Sequence, residues 1–293
     1  MNRTNFDYRV IGTGKTTLII ETGIGNLYFD WLPVAKHLSK NHTVVLYHRL
    51  GYGESKITKQ RRTTYNIATE LYELVTALEI DKFILLAHSF GGLCAQHFAL
   101  LYPKKLSGLI LLDSASPRLS ELEELDTPFL NEHSSIDAMI SMSMEFSKKT
   151  SDERLKLLED SLKNYKEKLS EGDYKAYSDC MSYSEFNITV ANEFSEWIHD
   201  GEEIQKIRCS HDIPTIIICR DEQTSAANWH KNGVPKTEAE IHEKHWRALQ
   251  EDLKSLSSQS ELIIATGCDH MIHLEQPELV YKSVESLQNR LMD

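Results

Sequence analysis

The stretch Lys82–Gly92, KFILLAHSFGG, combines a strand, a sharp turn and the start of a helix, and it decides the fold. Its continuous apolar run, Phe83–Ala87, is typical of a strand that is covered on both faces. Ser89 follows, with the small residues Ala87 and Gly91 two positions before and after it. Because such a tight turn leaves no room for larger side chains at those two positions, we expect Ser89 to project outward at the carboxyl end of the strand, just before a helix.

Short apolar segments alternate with helical patterns on both sides of this stretch. Six segments are interpreted as buried strands: Thr17–Ile20, Thr43–Tyr47, Lys82–Ala87, Leu106–Leu112, Ile213–Cys219 and Glu261–Ala265. Helical patterns cover about residues 29–40, 63–79, 91–102, 236–256 and 278–291. This alternation is typical of right-handed βαβ units, so it predicts an α/β fold with a mostly parallel central sheet flanked by helices.

An acidic segment interrupts the alternation after the fourth of these strands. The 293-residue chain has a net charge of −12, and residues 118–205 account for all of it, with 21 acidic and 9 basic residues. Leucines recur at helical spacing within the segment, at Leu155, Leu158, Leu162 and Leu169. We therefore predict a helical insertion at 118–205, on a core that is formed by residues 1–117 and 206–293.

The insertion is also rich in methionine and aromatic residues. They are Met139, Met142, Met144, Phe146, Tyr174, Tyr177, Met181, Tyr183 and Phe186. Such side chains could line an apolar pocket or simply form the core of the inserted helices, and the sequence leaves both interpretations open.

Composition and charge argue against several classes of protein. The negative net charge disfavours binding to nucleic acid. The apolar runs are far shorter than the ~20 residues that span a bilayer, and the amino terminus lacks the apolar region of a secretory signal. Five scattered cysteines without a C-x-x-C pair favour a cytoplasmic location. Because zinc-ligand spacing and a dinucleotide fingerprint are missing, we expect no metal or organic cofactor. The partner that we expect is a small-molecule substrate.

The segment Gly14-Lys15-Thr16 resembles the end of a phosphate-binding P-loop. That motif requires a glycine five residues before Gly14, where this chain has Arg9. The segment also leads into a strand instead of a helix. We therefore expect a β-hairpin turn between two short strands.

Four motifs together resemble the α/β-hydrolase family over nearly the whole chain. The Ser89 turn is similar to the nucleophile elbow of that family, and residues 21–25, ETGIG, are similar to its oxyanion loop. Residues 47–55, YHRLGYGES, resemble its Asp-Arg-x-Gly-x-Gly-x-Ser loop, with His48 in place of the aspartate. Residues 267–270, GCDH, resemble its histidine loop. The resemblance implies an α/β-hydrolase fold with a helical cap at 118–205, and oxyanion donors at the backbone N–H groups of Ile24 and Phe90.

The resemblance also implies a catalytic triad, in which Ser89 is the nucleophile and His270 the base. His273 and His88 are the nearest competitors for the base, but His273 matches no family position and His88 should point to the other side of the strand tip. Arg49 is expected to brace the neighbouring loops instead of touching the substrate.

The acid of the triad is ambiguous in the sequence. Most family members carry it in a Gly-x-x-Asp after the strand represented here by Ile213–Cys219, but this chain has Arg220 and Gln223 at those two positions. Asp221 or Glu222 could substitute for it. We choose Asp113, at the end of the earlier strand Leu106–Leu112, where a minority of the family carries its acid; a turn or capping role for Asp113 stays open.

These residues predict a serine hydrolase that cleaves a small or medium carboxylic ester, amide or thioester through an acyl-enzyme. One alternative is an aminopeptidase-like hydrolase, in which a buried carboxylate of the cap would hold the amine of the substrate. The other is a noncatalytic member of the fold that binds a small molecule beneath the cap.

Overall fold

Seven strands form a single sheet in the computed structural model, which describes residues 4–292. The strands are β1 (Tyr8–Ile11), β2 (Thr17–Glu21), β3 (Thr43–Tyr47), β4 (Phe83–His88), β5 (Leu106–Leu112), β6 (Thr215–Arg220) and β7 (Ser260–Ala265). Their order is β1-β3-β2-β4-β5-β6-β7, with β1 antiparallel to β3 and all other pairs parallel. The prediction of an α/β fold with a mostly parallel sheet is therefore confirmed.

Helices connect the strands and cover the sheet. Those outside the segment between β5 and β6 are α1 (Leu32–Leu38), α2 (Thr64–Ala77), α3 (Phe90–Leu101), α11 (Glu222–Lys231), α12 (Lys236–Asp252), α13 (Ile272–Glu275) and α14 (Pro277–Arg290). Between β5 and β6 lie α4 (Ser120–Glu123), α5 (Pro128–His133), α6 (Ile136–Ser147), α7 (Ser151–Leu157), α8 (Glu159–Lys168), α9 (Glu171–Ser182) and α10 (Ser184–Ile207). Within residues 4–292, no helix combines the length and the apolar character that crossing a bilayer requires.

Both faces of the sheet are buried. Ile84 and Leu86 of β4 belong to one apolar cluster, whereas Phe83 and Leu85 belong to a second cluster on the opposite face. Successive side chains of a strand point to opposite sides, so a strand that is covered on both sides must be apolar at every position. This explains why the strands could be recognised as continuous apolar runs.

The inserted helices follow β5, the strand beside that of Ser89. The long helix α10 packs against the core, where the Trp197 ring contacts Phe90 of α3 at a centroid distance of 5.4 Å. Helix α10 continues to Ile207, two residues past the predicted boundary at 205. The division of the chain into a core and a cap remains a prediction.

The predicted β-hairpin around Gly14 is wrong, because β1 and β2 do not pair with each other. Strand β3 lies between them and pairs with both. The connection instead crosses the start of β3 so closely that a Cβ atom on Gly14 would lie 2.0 Å from the carbonyl oxygen of Asn41. Thr43 fixes this crossing, since its hydroxyl donates to the Gly14 carbonyl at 2.7 Å.

Candidate active site

Ser89 lies on the sharp turn between β4 and α3 that its neighbours predict. Its backbone has φ +55° and ψ −125°, a strained combination for a residue with a side chain. Two backbone groups hold the turn, because the Ser89 carbonyl accepts hydrogen bonds from Gly92 and Ala115, both at 2.9 Å. A Cβ atom on Gly91 would approach the Thr22 carbonyl oxygen to 2.4 Å, which explains the need for glycine there. The Ser89 side chain faces a cavity of about 450 Å³.

The loop after β2 approaches this turn from the other side. Its residue Ile24 lines the same cavity as Ser89. Among the residues that the structure describes, the backbone N–H groups of Ile24 and Phe90 have no hydrogen-bond acceptor. Phe90 is the first residue of α3, where the positive end of the helix dipole adds to the donor. Both N–H groups are therefore free to bind a negatively charged oxygen.

Arg49 fixes this loop, as the sequence predicts. Its guanidinium donates to the carbonyl oxygens of Thr22 at 2.6 Å and Gly23 at 3.1 Å. Two buried carboxylates hold the guanidinium: Glu21 at 2.7 Å and Glu193 of α10 at 2.9 Å. Arg49 is thus fully engaged within the protein.

His270 and Asp113 are 157 residues apart in the sequence but in direct contact. The Nδ1 atom of His270 lies 2.6 Å from Oδ2 of Asp113, and His270 lines the cavity with Ser89. Asp113 is completely buried and follows β5 with φ +41°. Burial disfavours its ionisation, but the Arg220 guanidinium and the hydrogen bonds from His270 and Trp246 hold the pKa of Asp113 well below its usual range. Asp113 is therefore a carboxylate that orients the His270 ring.

The alternative acids occupy other positions. Asp221 caps the helix α11, which the sequence did not predict: its carboxylate accepts from Gln223 N at 2.9 Å and from Gly267 N at 2.7 Å. Glu222 is the first residue of that helix, and neither acid contacts His270 in the described chain. An aspartate before a polar helical stretch is a typical N-cap, and this signal could have predicted α11.

The two competing histidines are buried and neutral. His88 is the last residue of β4, and its Nε2 atom lies 2.9 Å from the carbonyl oxygen of His270. Burial lowers the pKa of His88 to about 3. His273 stacks on Trp31 at a centroid distance of 4.0 Å, and burial holds its pKa well below the usual range. His88 therefore supports the backbone of the His270 loop.

A buried ion pair behind Asp113 was missed by sequence reasoning. Arg220 donates to Asp113 through its backbone N–H at 3.2 Å and through its guanidinium at 2.8 Å. Glu243 of α12 holds the same guanidinium at 2.7 and 2.8 Å. Trp246, also of α12, donates its indole N–H to Asp113 at 2.8 Å. Arg220 stands where most family members have glycine, and this departure could have drawn attention to it. No sequence pattern identified Glu243 as its partner.

The cavity combines apolar and polar walls. From the insertion, its apolar part includes Leu119, Met139, Phe194 and Trp197. Of the nine methionine and aromatic residues named for the insertion, only Met139 lines it; Tyr177 and Phe186 belong to the buried core, whereas Met142 and Tyr183 are exposed. A volume of this size fits a small organic molecule.

Comparisons with known proteins agree with this architecture. A family model described as alpha/beta hydrolase fold matches residues 16–172. A putative carbamate hydrolase, RutD, of Cronobacter turicensis is 29% identical over 101 residues, which are 34% of this chain and 38% of that protein. The chain spans about a third of the length of the curated relatives that it matches at about 30% identity.

Two solved structures resemble the whole chain. A thermophilic esterase from Thermogutta terrifontis has a TM-score of 0.65 at 18% identity, covering 98% of this chain and 93% of that one. A putative epoxide hydrolase mutant from Pseudomonas aeruginosa has a TM-score of 0.68 at 15% identity, with the same coverage. At such low identity these structures show the fold alone.

Proposed function

The chain belongs to the α/β-hydrolase family, and we propose that within it this protein is a serine hydrolase that cleaves small or medium carboxylic esters, amides or thioesters through an acyl-enzyme. The observation that carries the proposal is the 2.6 Å contact between His270 and Asp113 beside the cavity that Ser89 also lines. A hydroxyl, an oriented imidazole and a buried carboxylate are the groups that this chemistry requires.

The mechanism assigns one role to each group. The Ser89 hydroxyl attacks the carbonyl carbon of the substrate while His270 takes its proton, and the N–H groups of Ile24 and Phe90 stabilise the oxyanion. The protonated His270 then gives its proton to the leaving alcohol, amine or thiol. A water molecule, deprotonated by His270, attacks the acyl-enzyme; the bond between the acyl carbon and the Ser89 oxygen breaks, His270 returns the proton to that oxygen, and the carboxylic acid is released. Asp113 stays ionised throughout, because it stabilises the imidazolium without taking its proton.

The activities named for the relatives indicate which substrates to compare. Esterase and carbamate hydrolase activities both act at a carbonyl carbon, whereas epoxide hydrolysis opens a ring without an acyl group. A serine beside two N–H donors suits the carbonyl reactions. For the aminopeptidase alternative, Glu123 is the carboxylate of the insertion that lines the described cavity, but it is exposed and not buried. These observations support hydrolysis at a carbonyl carbon over epoxide opening and over the aminopeptidase alternative.

A fluorophosphonate probe tests the nucleophile, because such probes label an activated serine covalently. We expect Ser89 to be labelled, the Ser89→Ala variant to fold and remain unlabelled, and a control variant at the exposed Ser195 of α10 to be labelled normally. Mass spectrometry of the labelled peptide identifies the site. Labelling that persists in Ser89→Ala would refute the nucleophile, and an unlabelled native protein would favour a noncatalytic ligand-binding role.

Substrate screening tests the reaction class. The purified protein is compared on a series of p-nitrophenyl esters of increasing acyl length, on aminoacyl amides and on an aryl epoxide. We expect turnover of the short and medium esters, with kcat/KM falling once the acyl chain outgrows the cavity. A preference for the aminoacyl amides would favour the aminopeptidase-like alternative, and a preference for the epoxide would contradict the proposal.

A further inference from the structure

Three buried charged groups are linked in a row behind His270. Asp113 contacts the His270 ring, Arg220 contacts Asp113 at 2.8 Å, and Glu243 contacts Arg220 at 2.7 Å. The side chains of Asp113 and Glu243 are fully buried, and that of Arg220 is 7% exposed. Water therefore screens these charges little, and each charge acts strongly on the protonation of its neighbours.

The pair Asp113–Arg220 alone would be electrically neutral. Such a pair would offer His270 an acceptor for its N–H group but no net negative charge to stabilise the imidazolium that forms during catalysis. Glu243 supplies a second negative charge, so the three groups together carry −1. This equals the charge of the single carboxylate in an ordinary triad.

We propose that Arg220 and Glu243 act as a pair of positioning residues, in which Arg220 fixes the Asp113 carboxylate and Glu243 restores the net negative charge that His270 requires as a base. The catalytic role of the pair rests on the proposed function, whereas the charge balance itself is a property of the folded protein. The pair also explains why an arginine is tolerated beside the acid.

The geometry makes the row rigid. The Arg220 guanidinium lies over the Trp246 ring, 4.2 Å from its centroid, and the same indole donates to Asp113. Glu243 accepts further hydrogen bonds from the Trp229 indole at 3.0 Å and from His242 Nδ1 at 3.1 Å. Trp229 and His242 line the cavity, so the row runs from the cavity wall to the base.

Other ionisable groups near His270 and the row are the same in every variant of the test. His88 and His273 are neutral, since burial lowers the pKa of His88 to about 3 and that of His273 well below its usual range. Asp269, the preceding residue, accepts hydrogen bonds from Ser225 and Asn228, both at 2.7 Å. His242 contacts Glu243 at 3.1 Å, and Arg247 donates to the Arg220 carbonyl oxygen at 2.9 Å. All five groups are unchanged in every variant below.

The test uses variants that change one charge at a time. Glu243→Gln makes the net charge of the row zero, Arg220→Gln makes it −2, and the double variant returns it to −1. The readouts are the NMR titration midpoint of the His270 ring, assigned with a His270→Gln variant, and the acid limb of the kcat/KM profile for the best p-nitrophenyl ester. Glu240→Gln is the matched control, because Glu240 carries the same charge on an exposed part of α12.

The charge balance predicts opposite shifts. We expect Glu243→Gln to move both readouts to lower pH by about half a unit or more, Arg220→Gln to move them to higher pH, and the double variant to lie near the native protein. Glu240→Gln should leave both unchanged. A purely structural role would loosen the site in each variant without opposite shifts, so shifts in one direction or none would overturn the proposal.

Two features keep the test decisive. If Arg220→Gln does not fold, Glu243→Gln and the double variant must still differ in midpoint, and equal midpoints overturn the proposal. The NMR titration needs no turnover, so a native protein that fails to hydrolyse any ester refutes the proposed function while the His270 midpoints still decide the charge balance.

Discussion

Asp113 is the residue on which the candidate site depends most. Its Oδ1 atom accepts from the Trp246 indole and the Arg220 backbone, and its Oδ2 atom accepts from His270 and the Arg220 guanidinium. Four donors around one buried carboxylate fix its position and keep it ionised. Each of these donors requires an acceptor, so no neutral side chain of the same shape can replace the carboxylate fully.

The variant Asp113→Asn tests this dependence. An amide NH₂ group must face either the donors at Oδ1 or those at Oδ2, and the variant favours the wrong tautomer of His270. We expect kcat to fall on the order of 10⁴-fold. Asp221→Asn and Glu222→Gln are the controls, with losses of roughly tenfold or less, because Asp221 caps a helix and Glu222 lies away from His270.

Measuring kcat together with thermal unfolding separates chemistry from stability in this comparison. If the Asp113→Asn protein is folded and active while Asp221→Asn or Glu222→Gln is inactive, the acid of the triad follows β6 instead of β5. That result would refute our assignment.

At the scale of elements, helix α10 connects the insertion to the oxyanion loop. Glu193 of α10 is fully buried and binds Arg49 through two atoms, at 2.9 and 3.0 Å. It also accepts from the Tyr52 hydroxyl at 2.6 Å, and that hydroxyl in turn accepts from the Gly25 N–H at 3.1 Å. One carboxylate thus holds both supports of the loop that carries Ile24.

The variant Glu193→Gln tests this connection. Glutamine removes the charge and cannot accept both Arg49 donors, although Glu21 still partners the arginine. We expect stability to fall by about 1–3 kcal/mol and kcat to fall roughly tenfold, because the Ile24 N–H loses its exact position. Thermal unfolding and kcat on one ester measure the two effects.

Glu196→Gln is the matched control for this variant. Glu196 lies one turn later on α10 and pairs with Arg61, whose side chain is 67% exposed, so its loss should change neither stability nor kcat noticeably. Equal effects of the two substitutions would contradict a specific role for Glu193.

The elements differ in how far the sequence could predict them. Strands β2 to β6 were predictable because burial on both faces requires continuous apolar runs, and β7, a partly exposed edge strand, still carries the short apolar run 262–265. The Ser89 turn was predictable because its tight backbone demands small neighbours. The position of β3 between β1 and β2 depends on contacts between residues 12–16 and 39–43, which leave no local pattern. The Arg220–Glu243 pair was hidden for the same reason, since its partners are 23 residues apart and lie on different elements.

At the scale of the whole molecule, the contact between the insertion and the core contains buried carboxylates that resist ionisation. Asp200 of α10 accepts from the Thr64 N–H at the start of α2 at 2.9 Å, and burial raises its pKa to about 7. Asp30 of the core accepts from the Tyr165 hydroxyl of α8, and burial raises its pKa to about 6. The attachment of the insertion should therefore weaken as the pH rises from about 4, near the unfolded pKa of both groups, to about 7.

The variant Asp200→Asn tests this pH dependence. A carboxyl whose pKa is raised in the folded protein stabilises the fold fully below its unfolded value, near 3.8, and loses that contribution as the pH rises through about 7. Asparagine can still accept the Thr64 hydrogen bond but never ionises. We therefore expect its Tm to match that of the native protein near pH 4 and to exceed it by several degrees at pH 8, for a gain on the order of 2 kcal/mol. Asp160→Asn, at a fully exposed position of α8, serves as the control and should show no such divergence. A Tm difference that is constant with pH, or that grows toward acid, would mean that Asp200 is ionised in the folded protein and that its contact with α2 is an ordinary charged helix cap.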